Sequence, residues 1–61
     1  MIKLFDKVRI VESGLLGIVI EIDDDNGNKP PSYLVEIEET PEWATVPEVI
    51  SWYDWREIEK L

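Results

Sequence analysis

The sequence predicts an all-β fold: a small, strongly bent barrel of five antiparallel strands with a short helical turn near the C-terminus. Three observations carry this. Apolar residues recur at every second position in several short runs, the richest of these runs is built from β-branched residues, and Gly, Pro and Asn interrupt the runs at short intervals. At 61 residues the chain has room for one domain, expected over residues 1–61. A chain of this length buries only about 60% of its unfolded surface, so its core holds little beyond what folding requires.

The first strand is expected from Phe5 to Glu12, with Val8 and Ile10 on one face and Lys7 and Arg9 on the other. The segment Ser13-Gly14-Leu15-Leu16-Gly17 then turns the chain, its glycines offering positive φ. Gly17 to Asp23, Gly-Ile-Val-Ile-Glu-Ile-Asp, is the clearest strand. Its inner face has two solutions: Ile18, Ile20 and Ile22 alternate, whereas a bulge puts Val19 and Ile22 inside. Asp23 to Ser32 is a polar, flexible hairpin loop, with Asn26-Gly27 as turn chemistry and Pro30-Pro31 unable to donate to a ladder.

Tyr33 to Glu39 makes a third strand, with Tyr33, Val35 and Ile37 inward and Glu36 and Glu38 outward. Thr40 to Pro47 is a loop carrying Trp43. Glu48 to Tyr53 is the fourth strand, with Ile50 and Trp52 inside if Ser51 faces water. Asp54 and Glu57 stand at capping-box spacing, flanked by Tyr53 and Ile58 as a hydrophobic staple, which predicts one helical turn over Asp54 to Glu57. Ile58 to Leu61 adds a final strand or a frayed helical end. The expected core is Val8, Ile10, Ile22, Val35, Ile37, Ile50 and Trp52.

Composition narrows the chemistry. With no Cys and no His, there is no thiol nucleophile, Ser-His-Asp triad, zinc finger or neutral-pH imidazole base. None of Ser13, Ser32 and Ser51 lies in a G-x-S-x-G context, and no phosphate-binding G-x-x-x-x-G-K-[ST] loop is present. No catalytic residue, cofactor or metal ligand is therefore assigned. The run Asp23-Asp24-Asp25-Asn26-Gly27 fails as a calcium loop: with Gly27 sixth, Ile22 and Tyr33 would occupy the first and twelfth ligand positions.

Fourteen acids against six bases give a net charge of −8. Phosphate backbones are bound through Lys and Arg, and here Lys3, Lys7, Arg9, Lys29, Arg56 and Lys60 are scattered, so direct nucleic-acid binding is not expected. Charges at positions 3, 6 and 7 interrupt any signal-peptide core, and no apolar run approaches the length that spans a bilayer. A cytoplasmic protein without a membrane partner is expected.

The stretch from Gly14 to Asp23, with its Gly-x-x-Gly-x-Val-x-x-Ile spacing, resembles the KOW-type SH3-like barrels. Tyr33-Leu34-Val35-Glu36-Ile37 and the segment from Trp52 to Leu61 are similar to small stand-alone bacterial SH3-like proteins of unknown function, some of them in toxin–immunity settings. The resemblance implies an SH3-like five-stranded barrel. It does not bring RNA binding with it, because the basic surface of ribosomal and elongation-factor KOW domains is missing. Nor does it bring a proline-rich ligand, because the Ala-Leu-Tyr-Asp-Tyr segment of eukaryotic SH3 domains is absent.

What stands out is the aromatic load of the C-terminal half. Trp43, Trp52, Tyr53 and Trp55 occur among Glu38, Glu39, Glu42, Glu48 and Asp54. Large aromatics often supply the core of a tiny domain. Because the inward positions are few, Trp43 and Trp55 are expected to be at least partly exposed. Together with Tyr53, Glu39, Glu42 and Asp54 they form a candidate site for a basic protein partner. The functional expectation is a non-enzymatic, acidic protein-binding module, an inhibitor or immunity-type factor. The alternative is a KOW-like accessory domain on a transcription or translation nucleoprotein complex.

Overall fold

The computed structural model describes residues 1–38 and 50–61. Five strands, β1 (Lys7–Ile10), β2 (Leu16–Asp23), β3 (Ser32–Ile37), β4 (Ile50–Asp54) and β5 (Ile58–Lys60), form one antiparallel sheet in the order β4-β3-β2-β1-β5. Among the described residues there is no helix, and hence none long and apolar enough to cross a membrane.

The sheet must curl. Strands lie about 4.8 Å apart, so a flat five-stranded sheet would hold its edge strands about 19 Å from each other. Yet the edges β4 and β5 are joined by residues 55–57 alone, and the four steps from Asp54 to Ile58 span about 14 Å at most. The curl wraps one face around the core. No β4–β5 ladder is found among the described residues, so hydrogen bonding does not close the sheet.

That inner face carries Val8 and Ile10 from β1, Val19 from β2, Tyr33, Val35 and Ile37 from β3, and Ile58 from β5, with Leu15 beside them. Val8, Val19 and Val35 are fully buried. Of the two solutions for β2, the bulge is the one adopted. The β2–β3 register shifts between Val19 and Glu21, so Val19 faces inward opposite Val35 and Ile22 pairs with Tyr33. Ile22 is half-buried and packs against the core from its margin.

On β4 the expected faces are exchanged. Ser51 lies opposite Val35 and Tyr53 opposite Tyr33, which turns those two inward, while Trp52 lies opposite Leu34 and Ile50 opposite Glu36. Trp52 is 48% exposed and Ile50 45% exposed, so neither belongs to the core. With a side-chain period of two, one choice of register decides the face of every β4 residue. Pairing with the firmly buried Tyr33 and Val35 makes that choice.

Other boundaries also shift. Phe5 precedes β1 in a turn: Asp6 donates its N–H to Lys3 O (3.1 Å) and accepts the Lys3 N–H at Oδ2 (2.8 Å). The loop from Asp23 to Ser32 is internally bonded. Asp24 O accepts from Gly27 N and Lys29 N, Asp25 O accepts from Asn28 N, and Lys29 Nζ meets Asp23 Oδ2 at 3.1 Å. The Asp54–Glu57 segment takes the form of a hydrogen-bonded turn over residues 55–57, and Ile58 onward is a strand. The expected Thr40–Pro47 loop, and Glu48 at the start of the fourth strand, lie outside the described residues.

Candidate functional site

The turn between β4 and β5 is fastened on both sides. Glu57 N donates to Asp54 O at 2.8 Å, closing the turn. Asp54 Oδ1 accepts from Arg56 N at 3.1 Å and Oδ2 from Arg56 Nη2 at 2.9 Å. This is the Asx-turn chemistry for which a short carboxylate side chain suits such a position. Trp55 N donates to Pro31 O at 3.2 Å, tying the turn to the end of the β2–β3 loop. Val11 N donates to Glu57 O at 2.9 Å, tying it to the end of β1. The Trp55 indole, 48% exposed, is therefore mounted on a backbone held at three points.

Two grooves flank this turn. One, of about 340 Å³, is lined by Lys29, Pro30, Pro31, Ser32, Asp54, Trp55 and Arg56. The other, of about 230 Å³, is lined by Ile10, Val11, Glu12, Tyr53, Arg56 and Glu57. Arg56 borders both, with its guanidinium carbon 5.8 Å from the centroid of the Trp55 ring.

Of the residues expected to bind a partner, Asp54 and Trp55 share the first groove, and Tyr53 lines the second, across Arg56. Trp43, Glu39 and Glu42 lie outside the described residues. Pro30, Pro31, Lys29 and Arg56 were not anticipated as lining. The proline pair is legible in the sequence only as a break in the ladder, and Arg56 only as one scattered base.

The electrostatics around the turn are mixed. The Arg56 side chain, followed by its backbone N–H, holds the Asp54 carboxyl below its ordinary pKa, and Asp54 in turn raises that of Arg56. Lys29, followed by the Asp25 N–H, does the same to Asp23. Elsewhere Lys7 pairs with Glu38 (3.1 Å), Lys60 with Asp6 (3.5 Å), and Arg9 with Glu59 directly across the β1–β5 ladder. Glu12, Glu21, Asp24, Asp25, Glu36 and Glu57 take no part in the ion pairs among the described residues. Two of them, Glu12 and Glu57, line the second groove beside Tyr53. Chemically, Asp54 is a fixed, ionised carboxylate rather than a proton donor near neutral pH. The turn offers an aromatic surface, proline walls and an acidic flank. No family model matches the chain, and no match is found among curated proteins or among solved structures.

Proposed function

We propose that this chain is a small SH3-like barrel acting as a non-enzymatic protein-binding module, an inhibitor or immunity-type factor that docks the β4–β5 turn onto a basic surface of another protein. One observation carries the reading: Trp55 is half-exposed on a turn whose backbone is hydrogen-bonded to Pro31 on one side and to Val11 on the other. A preordered aromatic loses little conformational freedom on binding, and tryptophan is among the residues most often found at the energetic centre of interfaces. The net charge of −8 favours a cationic partner and accelerates its approach. Strand order and the tight connection between the edge strands support the SH3-like reading. The pairing of Lys7, Arg9, Lys29, Arg56 and Lys60 with carboxylates weighs against a nucleic-acid surface, which leaves the accessory-domain alternative only a protein contact within such a complex.

The test is quantitative affinity capture from the native cell, comparing the wild-type chain with Trp55→Ala. The reading expects a protein partner of high isoelectric point, enriched by the wild type, depleted with the variant and released by salt. Identical protein sets from both baits would overturn it.

A further inference from the structure

The turn at Trp55 is not the only exposed feature at this end of the sheet. Beside it lies the outer edge of β4, with which no strand pairs among the described residues, and its backbone can be read from the ladder. Trp55 N bonds Pro31 O, and the β3–β4 register pairs Tyr53 with Tyr33 and Ser51 with Val35. Hydrogen-bonded pairs alternate along an antiparallel ladder, so residues 51, 53 and 55 direct their polar groups to β3. Residues 50, 52 and 54 direct theirs the opposite way, where no described strand pairs with β4. The Asp54 carbonyl is satisfied by Glu57 N, while the N–H and C=O of Ile50 and Trp52 and the N–H of Asp54 face away from β3 and find no partner among the described residues.

Protein edges are usually defended by charge, proline, a bulge or brevity. The opposite edge, β5, has such defences: it is three residues long and carries Glu59 and Lys60. β4, reading Ile-Ser-Trp-Tyr-Asp, is two residues longer, has no lysine, proline or bulge within these residues, and carries its one charge, Asp54, at its last position, where it is paired with Arg56. Its outer face instead exposes Ile50 and Trp52, next to the half-buried Leu34 and Ile18 of the neighbouring strands.

We propose that the β4 edge is a strand-addition site for an extended, basic segment of a partner protein, which pairs antiparallel or parallel with Ile50–Asp54 as a sixth strand. This deepens the protein-binding reading and rests on it, at an edge that meets the grooves beside Trp55 only at Tyr53 and Asp54. Charge selects the occupant. Glu36 lies opposite Ile50 on the outer face, and Glu21 lies opposite Leu34 one strand further in. Both remain outside the ion pairs among the described residues. An arginine or lysine on the added strand can cross Ile50 toward Glu36, or lie over the Trp52 ring. A second copy of this chain is the poorer occupant, because two molecules of charge −8 would meet edge to edge. Main-chain bonds would supply affinity, and the alternating outer side chains would supply selectivity.

The probe is a blocked nine-residue peptide alternating valine with arginine or lysine, titrated into isotope-labelled full-length protein and followed by amide shifts and hydrogen exchange. Controls replace every cation by glutamate, or N-methylate alternate backbone nitrogens. The proposal expects saturating peptide to slow exchange of the Ile50, Trp52 and Asp54 amides at least tenfold. The acidic and N-methylated peptides should bind at least tenfold more weakly. Trp52→Thr, which keeps a strand-forming residue, should weaken binding at least fivefold, and Glu36→Gln should flatten its salt dependence. Perturbation confined to Trp55 and its grooves, with exchange of the Ile50 and Trp52 amides unchanged, would overturn the edge site while leaving the proposed function standing. Equal binding of the acidic peptide, protection of these amides by self-association alone, or no peptide binding would each overturn it too.

Discussion

Gly17 and Val35 approach so closely across the β2–β3 ladder that a Cβ placed on Gly17 would stand 2.5 Å from Val35 Cγ1 and 2.7 Å from Glu36 O. Glycine is required here for space, not for φ. Only by omitting a side chain can β2 press against β3 tightly enough to seat Val19 beside Val35 in the core. Gly14 is the opposite case, with φ of +77° and nothing within 4 Å of its Cβ position.

Gly17→Ala should therefore destabilise the domain by about 1–3 kcal/mol, as overpacking against backbone does. Gly14→Ala should cost about 1 kcal/mol, from left-handed strain alone. Urea denaturation of both variants checks the order. A Gly17→Ala variant as stable as wild type would show that the two strands are not in this contact.

The face exchange on β4 makes a second prediction. Val35→Ala empties a fully buried position and should cost about 2–3 kcal/mol. Trp52→Thr removes a far larger side chain from a half-exposed position and should cost less than about 1 kcal/mol. The same denaturation series decides it, and the reverse order would put Trp52 back in the core.

Much of this architecture was legible in the sequence. The period-two runs around Val8 and Ile10 and around Tyr33, Val35 and Ile37 identify their inner faces directly, because polar residues fill the alternate positions. β4 does not permit this. Ile50, Trp52 and Tyr53 are all large and apolar or amphipathic, and Ser51 is small enough to sit on either face. One clue was present: a Tyr53–Ile58 staple turns Tyr53 inward, and alternation then turns Trp52 outward. That clue conflicts with a Trp52 core, and the sequence alone does not rank them. Half of the candidate site was legible for a related reason. Trp55 and Asp54 are local to one turn, whereas Pro30, Pro31 and Lys29 reach the groove only through the long-range bond between Trp55 N and Pro31 O.

Acid should weaken the fold through three carboxylates. Asp6, held down chiefly by the Lys3 N–H, and Asp23 and Asp54, held down chiefly by Lys29 and Arg56, all have folded pKa values below the unfolded one. The stability they contribute is present above the unfolded value of about 3.9 and disappears as pH falls through their lower folded values. Protonating the remaining acids relieves self-repulsion in any variant, so the comparison must be differential. Thermal melts from pH 7 to pH 2 should show a steeper acid loss for wild type than for the Asp6→Asn, Asp23→Asn, Asp54→Asn triple variant. Parallel curves would exclude these contacts as the cause.

The alkaline side tests Tyr33. Burial, aided by Asp24, raises the pKa of its phenol, so its contribution persists below the ordinary value of 10.0 and is lost as pH rises through the higher folded value. Tyr33→Phe should retain stability above pH 10 better than wild type does, measured by urea denaturation against pH. Equal alkaline loss in both proteins would contradict a buried, neutral Tyr33.

The claim that the Trp55 turn binds a partner is tested most directly by titration calorimetry of the captured partner against wild type and Trp55→Ala, with the variant's melting temperature measured alongside. The account predicts a Kd at least tenfold weaker for the variant, about 1.4 kcal/mol or more, with the fold retained and the wild-type affinity falling as salt rises. An unchanged Kd in a folded Trp55→Ala protein would contradict it.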